Sequence, residues 1–147
     1  MKILHIDTEK TWRGGEQQVL YLAKGLKEKG YESTILCQPG SPLSERARAA
    51  GIAVEELRMR GGVDPYAVMR ITRMLIGGYD VLHLHTSNAH TLGYLASFLT
   101  SGVKVVASRR VSFPVKGFFG KLKYKGVDKV IAVSEEVRND LIRSGIR

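Results

Sequence analysis

Three short stretches of this sequence carry residue types that can do chemistry. The first is Trp12-Arg13-Gly14-Gly15-Glu16, between an apolar run and a helix-patterned segment. Two adjacent glycines opening a helix leave free N–H groups and the positive end of the macrodipole uncovered, so a phosphate can approach the main chain closely. The competing reading is a turn that needs positive φ. Glu16 in the first helical turn satisfies the dipole itself and would repel a phosphate unless it points away. The second stretch is Asp80-Val81-Leu82-His83-Leu84-His85-Thr86, whose histidines are two apart and share one face of a strand. His85, nearer the carboxyl end, should reach a cleft beside Thr86, Ser87 and Asn88, as ligand, acid–base group or hydrogen-bonded core histidine. His83 lies deeper and reads as structural. The third is Ser108-Arg109-Arg110, two cations at a strand end. Buried charge needs a partner, and a phosphate or carboxylate gripped bidentately would supply one.

Other chemistries are excluded by what is missing. No GxGxxG occurs, and the second strand ends in Cys37-Gln38-Pro39 with no acid for a ribose diol, which disfavours a nicotinamide dinucleotide. No GxxxxGK[ST] is present. A zinc site needs three or four converging ligands, and one cysteine with no helical HExxH gives no such set, so no metal is expected. No serine–histidine–acid order or close carboxylate pair suggests covalent or two-carboxylate catalysis.

The elements that position these groups follow from hydropathy. Short apolar runs at residues 2–7, 32–38, 52–57, 80–85, 103–108 and 129–133 read as parallel strands covered on both faces. Helical patterns fill the intervals: Val19, Leu22, Ala23 and Leu26 stopped by Gly30, Ser41-Pro42 to Gly51, Asp64-Pro65 onward, Asn88 to Leu99, and Ser134 to Gly145. The fold class is α/β, a Rossmann-like doubly wound parallel sheet of about six strands with helices on both faces, in the order 3-2-1-4-5-6. Ligands then bind beyond the carboxyl ends of the strands, at the switch point between strands 1 and 4. One stretch breaks the alternation, the basic and aromatic segment from Arg109 to Gly126.

A chain of 147 residues with 44% hydrophobic and 25% charged residues is expected to form one globular domain spanning 1–147. No apolar run approaches a membrane span, and Asp7 and Glu9 follow the first strand too soon for a signal peptide. The single cysteine, Cys37, requires no oxidising compartment, so a cytoplasmic location is expected. The net charge of +9 is lopsided: residues 103–147 hold 11 Lys/Arg against 4 Asp/Glu. Such a field attracts phosphates, acidic lipid headgroups or nucleic acid.

Taken in order, "WRGGEQQVLYLAKGLKEKGYE", "PGSPLSERARAAGI", "YDVLHLHTSNAHTLGYLA", "VVASRR" and "DKVIAVSEEVRNDLIRSGI" resemble the N-terminal half of a retaining, two-domain (GT-B) glycosyltransferase of the large bacterial family 4. The resemblance implies that Gly14 and Gly15 lie over the diphosphate of a nucleotide-sugar donor. It implies an acceptor site built from Trp12, Arg13, His85, Thr86, Asn88, Arg109, Arg110 and Lys116. Relatives carry a histidine shortly after strand 5 that contacts the transferred sugar, and here Arg110 stands there. The donor-binding second domain and its paired glutamates are absent from these residues, so no catalytic residue is assigned in this half. No cofactor is expected beyond the nucleotide-diphosphate sugar. The implied partners are that second domain, in the same or a separate chain, and an anionic glycan or lipid acceptor of the cell envelope, such as lipopolysaccharide.

Phe118, Phe119, Lys121, Lys123 and Lys125 resemble a patch that seeks anionic membrane, giving a peripheral place at the inner face of the cytoplasmic membrane. The alternative function is a basic module that binds nucleic acid or anionic lipid without catalysis. No nucleic-acid motif accompanies the basic segment, and nucleic acid is not the expected partner.

Overall fold

The computed structural model describes residues 1–110, 115 and 117–146. Strands and helices alternate strictly: β1 (Lys2–Ile6), α1 (Gly14–Glu28), β2 (Glu32–Cys37), α2 (Pro42–Ala49), β3 (Ala53–Glu56), α3 (Pro65–Ile76), β4 (Val81–Leu84), α4 (Ser87–Ser97), β5 (Lys104–Arg109), α5 (Gly117–Lys125), β6 (Lys129–Ala132) and α6 (Glu135–Arg143). All six strands join one sheet in the order β3-β2-β1-β4-β5-β6, and every pairing is parallel. Strand order reverses between β1 and β4, as expected from the sequence.

Local chemistry sets most helix starts. Ser41, Asp64, Thr86 and Ser134 each accept a hydrogen bond from the backbone N–H three residues on, and Pro42 and Pro65 occupy first-turn positions whose N–H is not needed. The start of α1 differs. Arg13 gives it no side-chain cap, and Glu16 Oε2 instead turns back to accept the Arg13 N–H at 2.8 Å.

The sheet separates two apolar layers. Leu4, Ile6, Leu82 and Leu84 pack with Ala67, Ile71, Leu75 and Leu92 of α3 and α4. On the opposite side Ile35 and Cys37 pack with Val19, Leu20 and Ala23 of α1 and with Leu43 and Ala47 of α2. A third cluster joins Val115 to Val137, Leu141 and Ile146 at the β6 end. The central strands are therefore not uniformly apolar. In β1 and β4, Leu4, Ile6, Leu82 and Leu84 face α3 and α4, while His5, His83 and, just past β4, His85 take the alternate face.

Two close approaches fix α4. Gly93 lies against Leu84, where even a methyl group would overlap the leucine side chain, and Gly126 lies in the same way against the Tyr94 ring. The segment that broke the sequence pattern contains α5. Its hydrophobic periodicity is weak because tertiary contacts hold it: Lys123 Nζ donates to Thr91 Oγ1 at 3.0 Å, and the Lys123 carbonyl accepts from His90 Nε2 at 3.0 Å. Among the described residues no helix is long and apolar enough to cross a membrane.

Candidate active site

A cleft of about 300 Å³ opens at the switch point, lined from α1 by Arg13, Gly15 and Glu16, from β4 and α4 by His85, Thr86, Ser87 and His90, and from β5 by Ser108, Arg109 and Arg110, with Glu9 and Tyr124 at its edges. Larger hollows lie between α3 and α4 and against β6 and α6, both with mostly apolar walls, and at the opposite end of the sheet beside Lys2, Glu32 and Ala53, where β1, β2 and β3 begin. Among the described residues, Arg13, His85, Arg109 and Arg110 converge in the cleft at the switch point.

Neither Gly14 nor Gly15 has positive φ, so no turn geometry demands the pair. The first bond of α1 runs from Gln17 N–H to the Arg13 carbonyl at 3.2 Å, and the N–H groups of Gly14, Gly15 and Glu16 have no acceptor among the described residues. Space is open beside Gly14, whereas a side chain at Gly15 would meet the Arg110 guanidinium at 3.3 Å. One flank of the glycine pair is thus occupied by a cation.

Arg110 is held firmly. Its NH1 donates to the His85 carbonyl at 3.0 Å, its NH2 to His85 Nδ1 at 2.9 Å and its Nε to Gln18 Oε1 at 3.2 Å. His85 Nε2 lies 3.1 Å from His5 Nδ1, and His5 Nε2 lies 3.2 Å from Ser33 Oγ. His83 Nε2 pairs with Ser108 Oγ at 2.7 Å. The expectation that no three metal-capable groups converge is corrected here, because ligand atoms of His5, His83 and His85 lie within 4.8 Å of one another. In-register β1–β4 pairing brings them together, and both nitrogens of His5 and His85 and Nε2 of His83 are engaged in the bonds just given.

Burial keeps these rings neutral. It pulls His5 down to about 3 and His83 to about 4, and it takes His85 well below its ordinary 6.5, with neighbouring rings and Arg110 adding to the effect. His90 is lowered to about 4, first by burial and then by Lys123. Beneath the cleft, burial raises the Asp7 carboxyl to about 7 against the pull of its bond from Glu9 N–H. Its second oxygen has no hydrogen-bond partner among the described residues. Asp7 and Glu16 both attract Arg110, so the cations of the cleft are partly offset from below.

Several residues expected in the site are placed elsewhere. Trp12 packs against the α1–α2 layer with the Arg46 guanidinium 4.1 Å from its ring centre, and does not line the cleft. Asn88 is exposed and also outside the lining, because α4 turns it from the strand ends. Lys123 is buried against α4 and forms no part of a basic surface, whereas Phe118, Phe119, Lys121 and Lys125 are exposed. Lys116 lies outside the described residues. Arg13, Gly15, His85, Thr86, Arg109 and Arg110 do come together. Sequence reasoning missed His90 and Tyr124, whose rings meet edge-on at 4.6 Å, and missed Arg109 NH1 donating to the Tyr124 hydroxyl at 2.8 Å. The spacing of His90 three residues after Ser87 was the available signal.

An all-parallel 3-2-1-4-5-6 sheet with a polar cleft at its switch point defines a Rossmann-like module, the half-unit of a GT-B fold. Residues 12–147 match Glycosyltransferase Family 4, and the chain belongs to that family. Among solved structures it is similar to a glycosyltransferase from Rickettsia africae ESF-5, with TM-score 0.83 and 22% identity, covering 99% of this chain and 40% of that one. HepE of Anabaena, solved in complex with UDP and glucose, gives TM-score 0.75 and 19% identity, covering 100% of this chain and 42% of HepE. MurG of Acinetobacter baumannii gives 0.65 and 17%, covering 89% and 40%. The chain therefore spans about two fifths of the length of these structures. Among curated proteins none matches the sequence.

Proposed function

We propose that this chain is the acceptor-side half of a retaining glycosyltransferase, which moves a sugar from a nucleotide-diphosphate donor to an anionic cell-envelope acceptor such as lipopolysaccharide or a glycolipid. The observation that carries the reading is the uncapped start of α1, with open N–H groups at Gly14 and Gly15, of which Gly15 lines a cleft that holds Arg13, Arg109 and Arg110 while Gly14 lies outside that lining. Amides and guanidinium groups fixed in advance stabilise the charge that develops on a departing diphosphate. Arg110 stabilises that charge as a cation where relatives are expected to carry a histidine. Arg109 and the α4 start at Thr86 and Ser87 face the acceptor. HepE was solved with UDP and glucose, in keeping with a nucleotide-diphosphate donor here.

A second Rossmann-like domain, in the same polypeptide or another, supplies the nucleotide site, and this chain alone transfers no sugar. No metal is required in this scheme. Exposed Phe118 and Phe119 with Lys121 and Lys125 on α5 suit peripheral contact with anionic lipid at the cytoplasmic face. The test is sugar transfer from radiolabelled UDP-glucose and other nucleotide sugars to membrane extracts, by the chain alone and with its second domain. Transfer only by the combination, lost in Gly15→Asp, is expected. Transfer unaffected by Gly15→Asp would defeat the assignment.

A further inference from the structure

The row Arg110–His85–His5–Ser33 crosses four neighbouring strand ends and interiors, from beyond β5 through β4 and β1 to β2, with links of 2.9, 3.1 and 3.2 Å. Its polarity can be derived. A guanidinium only donates, so His85 Nδ1 must accept and therefore carries no proton. A neutral imidazole then carries its proton on Nε2, which donates to His5 Nδ1. His5 is left with its proton on Nε2, which donates to Ser33 Oγ. One cation fixes the direction of the whole row.

The row acts on a group that faces the cleft. Arg110 also donates through NH1 to the His85 carbonyl and through Nε to Gln18, so one residue, His85, holds both terminal nitrogens of the fork. A bidentate hold of this kind fixes the plane of the guanidinium as well as its position. The N–H groups of the fork not used inward remain for a ligand in the cleft that Gly15 and Arg110 line. Glu16 and Asp7 lie near enough to attract Arg110 and would draw an unheld side chain away from an anion.

We propose that His85 and His5 are positioning residues, which hold the Arg110 guanidinium in one orientation for the phosphate groups of the ligand. This inference rests on the phosphate-binding reading of the cleft. His5 is fully buried and touches neither Arg110 nor the cleft, so any effect of His5 on anion affinity passes through His85. His83 stacks on His85 at 4.0 Å between ring centres but bonds to Ser108 and lies outside the row.

Two measurements on the 147-residue chain test the proposal. The first is ring nitrogen–proton correlation spectroscopy of the wild type, which needs no variant to fold. His85 and His5 should both appear as Nε2–H tautomers with bare Nδ1, and an Nδ1–H tautomer at His85 would overturn the row. The second is calorimetric titration with inorganic pyrophosphate at fixed salt. Arg110→Ala should weaken binding about tenfold, as expected for losing a charge-assisted bidentate contact. His5→Leu, which leaves His85 Nε2–H without an acceptor, should weaken it several-fold. His5→Asn, whose amide oxygen can stand in for Nδ1, should restore it. Wild-type affinity in His5→Leu with a loss in Arg110→Ala would overturn the positioning role and leave the phosphate reading intact. No pyrophosphate binding by the wild type, or equal binding by Arg110→Ala, would overturn the phosphate reading and this proposal with it.

Discussion

Acidification should destabilise this domain well above the pH at which carboxylates are usually titrated. Folding lowers the pKa of His5, His83 and His90 from 6.5 to about 3, 4 and 4, so the folded chain binds fewer protons than the unfolded one. Their stabilisation is complete above 6.5 and drains away as the pH falls toward 4. At ~pH 5 each histidine has lost about 2 kcal/mol relative to ~pH 8, or about 6 kcal/mol for the three. His85 acts in the same direction. Asp7 opposes them. Its pKa is raised from 3.8 to about 7, so its contribution is complete below 3.8 and is lost as the pH rises through 7. Moving from ~pH 8 to ~pH 5 therefore recovers about 2–3 kcal/mol from Asp7, leaving a net loss of about 3–4 kcal/mol. Domains of this kind are stable by about 5–15 kcal/mol, so the loss is a large fraction of the whole. Urea denaturation followed by far-ultraviolet circular dichroism at the two pH values reads it directly. Asp7→Asn removes the opposing group, so it should be the more stable protein at ~pH 8 and show the larger loss, about 6 kcal/mol. Equal stability of Asp7→Asn at both pH values would mean that the histidines are charged in the folded state, and the argument from burial would fail.

Three further outcomes are expected. Gly93→Ala forces a methyl into Leu84, and should cost about 2–4 kcal/mol of unfolding free energy in urea denaturation without altering pyrophosphate affinity. Gln38→Ala removes the buried amide that bonds the Thr8 carbonyl at 3.0 Å and both polar groups of Met59 at 2.7 and 3.0 Å, tying the ends of β1, β2 and the β3 exit loop together. It should cost about 2–3 kcal/mol, read by thermal unfolding. Lys121→Glu combined with Lys125→Glu should abolish flotation with vesicles containing anionic phosphatidylglycerol, whereas Lys123→Met, at a buried position, should leave flotation unchanged.

The strand order was legible because each apolar run was bounded by glycine, proline or a capping residue, and those signals are local. Ser41, Asp64, Thr86 and Ser134 carry helix starts in their own side chains. The α5 helix was not legible, since Lys123 reads as a surface residue until Thr91 and His90 are placed beside it from 32 and 33 residues away. The histidine cluster was half legible. Alternation put His83 and His85 on one face, but His5 joins them only through the β1–β4 register, which no single strand encodes. Trp12 was misplaced for a related reason: its partner, Arg46, comes from a helix that shares no local pattern with it.

The alternation in β1 and β4 has a consequence for how such a domain can change. Leu4, Ile6, Leu82 and Leu84 serve one side of the sheet, while the rings of His5, His83 and His85 serve the other. Substitutions beneath the sheet can therefore drift, one methyl group exchanged for another, and alter durability while leaving specificity alone. Above the sheet the same freedom is missing, because every ring there is spoken for by a polar neighbour.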